Sequence, residues 1–105
     1  MNYDMETYGQ EVEKLVITSH NTRLIENTLG LVGEAGEVAE KVKKLMRDST
    51  FIPRDVIKEL GDVLFYVTAL ANHLGSDLQS VANANIKKLH DRKDRNKIKG
   101  SGDNR

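Results

Sequence analysis

Two short stretches of this sequence carry acidic residues in the same pattern, and they are the first candidates for chemistry. They read GEAGEV at Gly33–Val38 and KELGDV at Lys58–Val63. In each, two carboxylates stand three residues apart, with a glycine directly before the second acid. Residues at this spacing lie side by side on a helix. Four such carboxylates repel one another unless a cation offsets their charge, and Mg²⁺ is a hard cation that prefers oxygen ligands.

The same pattern has a purely structural explanation, because single acid pairs on a solvated helix face are common. Two features weigh against that explanation: the pair is repeated, and each copy contains a glycine. Gly36 and Gly61 each cost about 1 kcal/mol relative to alanine inside a helix, which indicates close helix approach or room for a ligand. The residues alone therefore leave a metal site and a solvated acidic face as equal alternatives.

Composition limits the class of protein. A chain of 105 residues predicts a single domain over residues 1–105. With 38% hydrophobic and 30% charged residues, it suits amphipathic helices that complete their burial in an oligomer. The chain has no cysteine, and we find neither a signal peptide nor an apolar run long enough to span a membrane. These features predict a cytoplasmic protein with no membrane partner.

Charge is unevenly distributed along the chain. From Lys87 onward there are eight Lys or Arg and three Asp or Glu, and since the net charge is zero the rest of the chain is acidic. Residues 87–105 are therefore predicted to be a basic helix end and tail, which is either simply solvated or binds anions. A nucleic-acid-binding module is the weaker alternative, because the basic segment has no interleaved aromatics and the acidic body would repel phosphate backbones.

Hydrophobic periodicity predicts four helices and no strand, and hence an all-α fold. Asp4 is a suitable cap for the first helix, and Gly75 should end the third. The predicted helices span about Met5–Ile17, about Thr22–Arg47, Pro53 to about His73, and a segment from a capping box at Ser76–Gln79 to about Arg95.

The second and third predicted helices carry apolar residues at alternating steps of three and four, as in a coiled-coil seam. These residues are Leu31, Ala35, Val38, Val42 and Leu45 in one helix, and Val56, Leu60, Val63, Val67, Leu70 and Leu74 in the other. Two such helices joined by a short loop form an antiparallel hairpin. The acid pairs lie beside the seam, so packing through it would bring the four carboxylates to one side.

With these residues in view, the sequence resembles the short MazG-like members of the all-α nucleoside triphosphate pyrophosphohydrolases. The family signature ExxE…ExxD is matched by Glu34, Glu37, Glu59 and Asp62. The surrounding GLVGEAGEVAEKVKK, KELGDVLFYVTALANHLG and ANIKKLHDRK are also similar, and so is the terminal GSGDNR. The resemblance spans about residues 29–105, and the N-terminal helix matches only loosely, through Tyr8. One departure is Gly33, which stands where many members have a second glutamate.

The resemblance implies a bundle of four to five helices that forms a homodimer or homotetramer. It implies Mg²⁺-dependent cleavage of nucleoside triphosphates between the α- and β-phosphates, with Mn²⁺ as the expected substitute. The implied metal ligands and catalytic residues are Glu34, Glu37, Glu59 and Asp62. The implied substrate contacts are Lys41, Lys44, Tyr66, Asn85, Lys88, Arg92 and Arg95. The tail residues Ser101, Asp103, Asn104 and Arg105 are expected to close over the nucleotide. A catalytically silent helical oligomer is the alternative.

Overall fold

The computed structural model describes residues 2–96, and within that range the chain is helical and contains no strand. The predicted all-α class is thereby confirmed. The helices are α1 (Met5–Leu15), α2 (Arg23–Asp48), α3 (Pro53–His73) and α4 (Leu78–Asp94). None of these helices combines the length and the apolarity that crossing a bilayer requires.

Local signals set most of the helix ends. The Oδ1 of Asp4 accepts the backbone N–H of Thr7 at 2.7 Å and caps α1, as predicted. Gly75 follows α3 with a φ of +79°, a left-handed conformation that glycine adopts without strain. The predicted capping box at Ser76 is wrong by one residue, because Asp77 is the cap of α4. Its carboxylate reaches the third amide of the helix.

Helix α1 ends at Leu15, two residues before the predicted end at Ile17. The following Val16 is extended, with φ −72° and ψ 124°. Val16, Ile17 and Thr18 are all β-branched, and such residues lose side-chain freedom in a helix, so this run favours extended backbone.

Helices α2 and α3 form the predicted antiparallel hairpin. Arg23, at the start of α2, donates a hydrogen bond to the carbonyl of Ala69 near the end of α3. Glu34, further along α2, meets Glu59 near the start of α3. Residue numbers therefore rise along one helix as they fall along the other. Within the described part of the chain, α3 is the only helix whose backbone packs along α2.

The line of contact between α2 and α3 is not the predicted apolar seam. In α3, Leu60 is 51% exposed and Leu74 is 68% exposed; Val42 and Leu45 of α2 are also exposed. The residues that meet across the hairpin instead lie on the acidic edge, where Ala69 is fully buried. The seam prediction is thus wrong for these four residues and for Ala35, whereas the other six seam residues are half-buried. Gly30 and the hydrogen bond from Arg23 to Ala69 mark the close approach of α2 to this edge, which leaves part of the apolar stripe exposed.

Gly30 illustrates that close approach. The aromatic ring of Tyr66 lies so near Gly30 that a Cβ at this position would overlap it. By contrast, a Cβ at Gly61 would meet nothing within 4 Å. Of the glycines in α2 and α3, Gly30 is therefore the one that the packing of these two helices requires.

We expect Gly30→Ala to lower the free energy of unfolding by about 1–3 kcal/mol, because overpacking strain outweighs the better helix propensity of alanine. Gly61→Ala is the matched control, and in open space it should raise that free energy by up to about 1 kcal/mol. Urea denaturation followed by circular dichroism measures both. Equal stabilisation of the two variants would contradict the packing of Tyr66 on Gly30.

A partly buried polar network joins α1 to the hairpin. The guanidinium of Arg23 donates to both carboxylate oxygens of Glu13, at 2.6 and 2.7 Å. Asn72 donates to the same carboxylate and to the carbonyl of Gly9, at 3.1 Å each. The network adjoins a small apolar core whose buried members are Val12, Ala69, Ala71 and Leu78. Three helices are thus linked near one end of the hairpin.

Candidate metal centre

Three carboxylates converge between α2 and α3. One oxygen each of Glu34, Glu59 and Asp62 lies within 4.8 Å of the other two. Glu34 and Glu59 are half-buried, whereas Asp62 is exposed. The antiparallel hairpin creates this cluster, because it places the acidic edge of one helix against that of the other.

Glu37, the fourth acid of the sequence motif, is not part of this three-residue group. It lies one turn beyond Glu34 on α2, and its side chain is exposed. It is nevertheless close enough for its charge to act on Glu34. The predicted role of Glu37 as a metal ligand therefore stays a prediction.

The electrostatics of the cluster favour a bound cation. The pKa of Glu34 is raised above its usual value, first by desolvation and then by a hydrogen bond with Glu59. The negative charges of Asp62, Glu59 and Glu37 raise it further. A carboxylate with these neighbours resists ionisation until a positive charge offsets theirs.

The geometry also suits a small divalent ion. Oxygens bound to one Mg²⁺ at about 2.1 Å lie up to roughly 4 Å apart, so modest side-chain rotation would bring the three into range. Carboxylate oxygens are the ligands that Mg²⁺ and Mn²⁺ prefer. The two glycines beside the acids, Gly36 and Gly61, face open space. The sequence suggested that these glycines allow either close helix approach or room for a ligand. At both positions α2 and α3 do not approach closely, so room for a ligand is the interpretation that remains.

The raised pKa of Glu34 predicts that the metal-free protein becomes less stable as the pH rises. The folded state holds the Glu34 proton to a higher pH than the unfolded state does, so this group lowers stability as pH rises from about 4.5 through the folded pKa. We expect Glu34→Gln to raise the melting temperature at pH 7 in EDTA and to change it little at pH 4. Melting curves of both proteins across this range measure the difference. A variant no more stable than wild type at pH 7 would contradict the prediction.

The predicted substrate contacts on the hairpin lie near the cluster along the chain. Lys41 and Lys44 follow the acid pair on α2, and both are half-buried. Tyr66 lies one turn after Asp62 on α3 and is half-buried, with its ring against Gly30.

The predicted contacts on α4 have more varied surroundings. Asn85 is exposed and Lys88 is half-buried. Arg92 is only 4% exposed. Arg95 forms an exposed ion pair with Asp91 at 2.8 Å. In the described part of the chain, α4 packs against α1 and α3 but not α2. The tail residues expected to close over a nucleotide lie outside the described residues.

Tyr8, which the sequence analysis noted only as the loose family match of the N-terminal helix, is affected by the charge of one cluster residue. Its pKa is raised by desolvation and, secondarily, by the negative charge of Asp62. The two residues belong to helices far apart in sequence. No local pattern signals their proximity, which arises only when α1 packs against α3.

The helical fold and the carboxylates between its antiparallel helices indicate the class of protein: an all-helical protein with a candidate divalent-cation site. A family model described as MazG nucleotide pyrophosphohydrolase domain matches residues 23–96, from the first residue of α2 to the end of the described range. The chain belongs to this family, which confirms the resemblance drawn from the sequence.

A relative is known from a bacteriophage. The chain is similar to the "Gene 37 protein" of Mycobacterium phage L5, with 53% identity over 83 residues. The match covers 74% of this chain and 73% of the phage protein. No solved structure matches the chain significantly.

Proposed function

We propose that this protein is a Mg²⁺-dependent nucleoside triphosphate pyrophosphohydrolase that converts its substrate and water into a nucleoside monophosphate and pyrophosphate. The observation that carries the proposal is the convergence of Glu34, Glu59 and Asp62 within 4.8 Å, in a chain that belongs to the MazG family. Mn²⁺ is proposed as a substitute for Mg²⁺. The rest of the family signature, Glu37, is proposed as a fourth ligand that reaches the ion by side-chain rotation.

A bound divalent ion would neutralise phosphate charge and lower the pKa of a coordinated water. The protein's own part is to position the reacting groups. Glu34 and Glu37 are the candidates for orienting the attacking water. Glu34 is the preferred candidate, because it is half-buried within the three-carboxylate group, whereas Glu37 is exposed and outside it.

Cationic and polar side chains are proposed to bind the triphosphate. Lys41 and Lys44 follow the acid pair on α2, and Tyr66 lies one turn after the acid pair on α3. From α4 we assign Asn85, Lys88 and Arg95, together with Arg92. Because Arg92 is buried, its proposed role is to hold α4 in place or to meet phosphate only after α4 shifts.

Self-association is proposed from the exposed apolar stripe. The seam residues of α2 and α3 that the chain leaves uncovered would be buried against a second copy, giving a homodimer or homotetramer. Leu60→Asp should then lower the molar mass measured by multi-angle light scattering, while the wild type elutes at a multiple of the chain mass. A wild type that elutes as a monomer would contradict this part of the proposal.

The test of the function is a panel of ribo- and deoxyribonucleoside triphosphates incubated with Mg²⁺. Products should be resolved by anion-exchange chromatography, so that pyrophosphate and monophosphate are distinguished from orthophosphate and diphosphate. Equal amounts of monophosphate and pyrophosphate are expected. No turnover of any nucleotide would favour the catalytically silent oligomer, and retention on DNA at physiological salt without hydrolysis would favour the nucleic-acid-binding module.

We also propose that the protein acts in the cytoplasm, where nucleotides and Mg²⁺ are available.

A further inference from the structure

Four residues of α2 lie in a line on the side of the helix that packs against α3. They are spaced by four, three and four positions and therefore share one helix face: Arg23, Asn27, Gly30 and Glu34. The first donates a hydrogen bond to the carbonyl of Ala69, the third lies against the ring of Tyr66, and the last belongs to the carboxylate cluster. Asn27 thus lies in the same interface, between two direct contacts with α3.

Asn27 is buried in this interface with an unpaired acceptor. It is only 4% exposed, yet within residues 2–96 no donor is hydrogen-bonded to the carbonyl oxygen of its side chain. In that part of the chain α3 is the only helix whose backbone packs along α2, so Asn27 is buried against α3. A buried acceptor without a partner destabilises a protein, and such groups are rare in native structures. A ligand that supplies the missing donor would account for an acceptor at this position.

The place of Asn27 relative to the carboxylates suits the nucleoside half of a nucleotide. Glu34 follows Asn27 by two helical turns on the same face, about 10.5 Å along the axis. The lysines proposed to bind phosphate, Lys41 and Lys44, lie on the other side of Glu34 along α2 and are half-buried. A nucleotide whose phosphates lie at the cluster and the lysines therefore has its sugar and base on the Asn27 side. Both the sugar hydroxyls and the N–H groups of a base are hydrogen-bond donors.

We propose that Asn27 selects the nucleoside of the substrate, its side-chain oxygen accepting a hydrogen bond from an N–H of the base or an O–H of the sugar. The inference rests on the function proposed above and adds the residue that distinguishes among nucleotides. Because Asn27 is buried, the ring of Tyr66 has to turn away from Gly30, one turn along from Asn27, before the nucleoside enters. Tyr66 is half-buried, so one side of its ring is open to solvent.

The first test is stability without nucleotide. Asn27→Leu keeps similar bulk and removes the unpaired acceptor, so its melting temperature in EDTA should equal or exceed that of the wild type. Asn72→Leu is the matched control, and its melting temperature should fall, because Asn72 donates to the carbonyl of Gly9 and to Glu13. The competing explanation is a buried water shared with the Nε–H of Arg23, which also lacks a partner in the described part of the chain. A lower melting temperature of Asn27→Leu would favour that structural role and overturn the proposal.

The second test is selectivity among nucleotides. The panel contains the four bases as ribo-, 2′-deoxyribo- and 2′,3′-dideoxyribonucleoside triphosphates with Mg²⁺, so that a donor on the base is distinguished from a sugar hydroxyl. Asn27→Leu should lower kcat/KM for the preferred nucleotides by about tenfold to a hundredfold, mainly through KM, and change it little for the poor ones. A structural defect would instead lower all rates together. An equal reduction for every nucleotide, or an unchanged preference, would contradict the proposal.

Melting curves with nucleoside monophosphates separate this inference from the proposed function. In the presence of Mg²⁺, at least one of the four monophosphates should raise the melting temperature of the wild type more than that of Asn27→Leu. If the wild type hydrolyses nucleotides and the variant keeps the same preference, only the role of Asn27 fails. If no nucleotide is hydrolysed, the proposed function fails. The role of Asn27 then stands if a monophosphate stabilises the wild type more than the variant, and fails if none does.

Discussion

Glu59→Gln is expected to reduce nucleoside triphosphate hydrolysis by about a hundredfold to ten-thousandfold. The substitution removes one of three carboxylates whose oxygens lie within 4.8 Å, and glutamine is a neutral, weaker ligand for a hard cation. A correctly held ion contributes several kcal/mol to stabilising a phosphoryl transition state, and about 1.4 kcal/mol corresponds to each tenfold change in rate. Initial rates of pyrophosphate release with saturating Mg²⁺ measure the effect, and Asp62→Asn should behave similarly.

Metal binding provides an independent measurement on the same variants. A ligand present at about a hundred times its dissociation constant stabilises the folded state by about 2.7 kcal/mol. Mg²⁺ or Mn²⁺ should therefore raise the melting temperature of the wild type and leave that of Glu59→Gln nearly unchanged. Glu26→Gln is the matched control, since Glu26 lies on α2 outside the cluster. It should retain both hydrolysis and the metal-dependent rise. An equal rise in Glu59→Gln and wild type would show that the ion binds elsewhere.

The second large effect is expected from Arg23→Met, which should lower the free energy of unfolding by about 2–4 kcal/mol. Arg23 joins α2 to Glu13 of α1 through two hydrogen bonds and to the carbonyl of Ala69 in α3 through a third. Methionine preserves the apolar stem but leaves the Ala69 carbonyl without its guanidinium partner. The loss is smaller than for a fully buried pair, because the Glu13 side chain is 47% exposed and water can solvate it.

The control for Arg23 is Arg47→Ala. The ion pairs of Arg47 with Glu40 and Asp48 lie on the surface, at 3.8 and 3.3 Å, with all three side chains about half exposed. Exposed pairs contribute about 0–1 kcal/mol, so the control should unfold nearly as wild type does. Urea denaturation of the three proteins gives the comparison. Equal stability of Arg23→Met and Arg47→Ala would show that the polar network around Arg23 does not hold α1.

The same network predicts a dependence on pH with a definite sign. Hydrogen bonding to Arg23 is the main reason that the pKa of Glu13 lies below its usual 4.5. A carboxyl with a lowered folded pKa contributes stability above 4.5, and this contribution is lost as pH falls through the folded pKa. In Arg23→Met that cause is absent. The difference in unfolding free energy between wild type and variant should therefore be largest near pH 7 and shrink towards pH 3.

The sequence by itself determined the helices and the identity of the acidic motif. Three helix-end signals act only on the neighbouring backbone: the cap at Asp4, the helix stop at Gly75 and the proline at the start of α3. They can therefore be recognised from the sequence of adjacent residues. Two carboxylates three residues apart lie on one helix face whatever else the chain does. The spacing therefore predicted which acids would be neighbours within each helix, and the resemblance to the MazG family added their proposed chemistry.

Only the tertiary structure decided which faces of those helices meet. The apolar seam of α3 was the obvious choice, yet α2 packs along the edge where Gly30 admits the ring of Tyr66 and Arg23 reaches Ala69. That choice brings three of the four carboxylates together and leaves Glu37 outside their group. The packing of α1 on α3 also exposes Tyr8 to the negative charge of Asp62. Helix rotation follows from steric fit and hydrogen bonds between residues remote in sequence. Periodicity measures how apolar a face is, but it does not identify the partner against which that face packs.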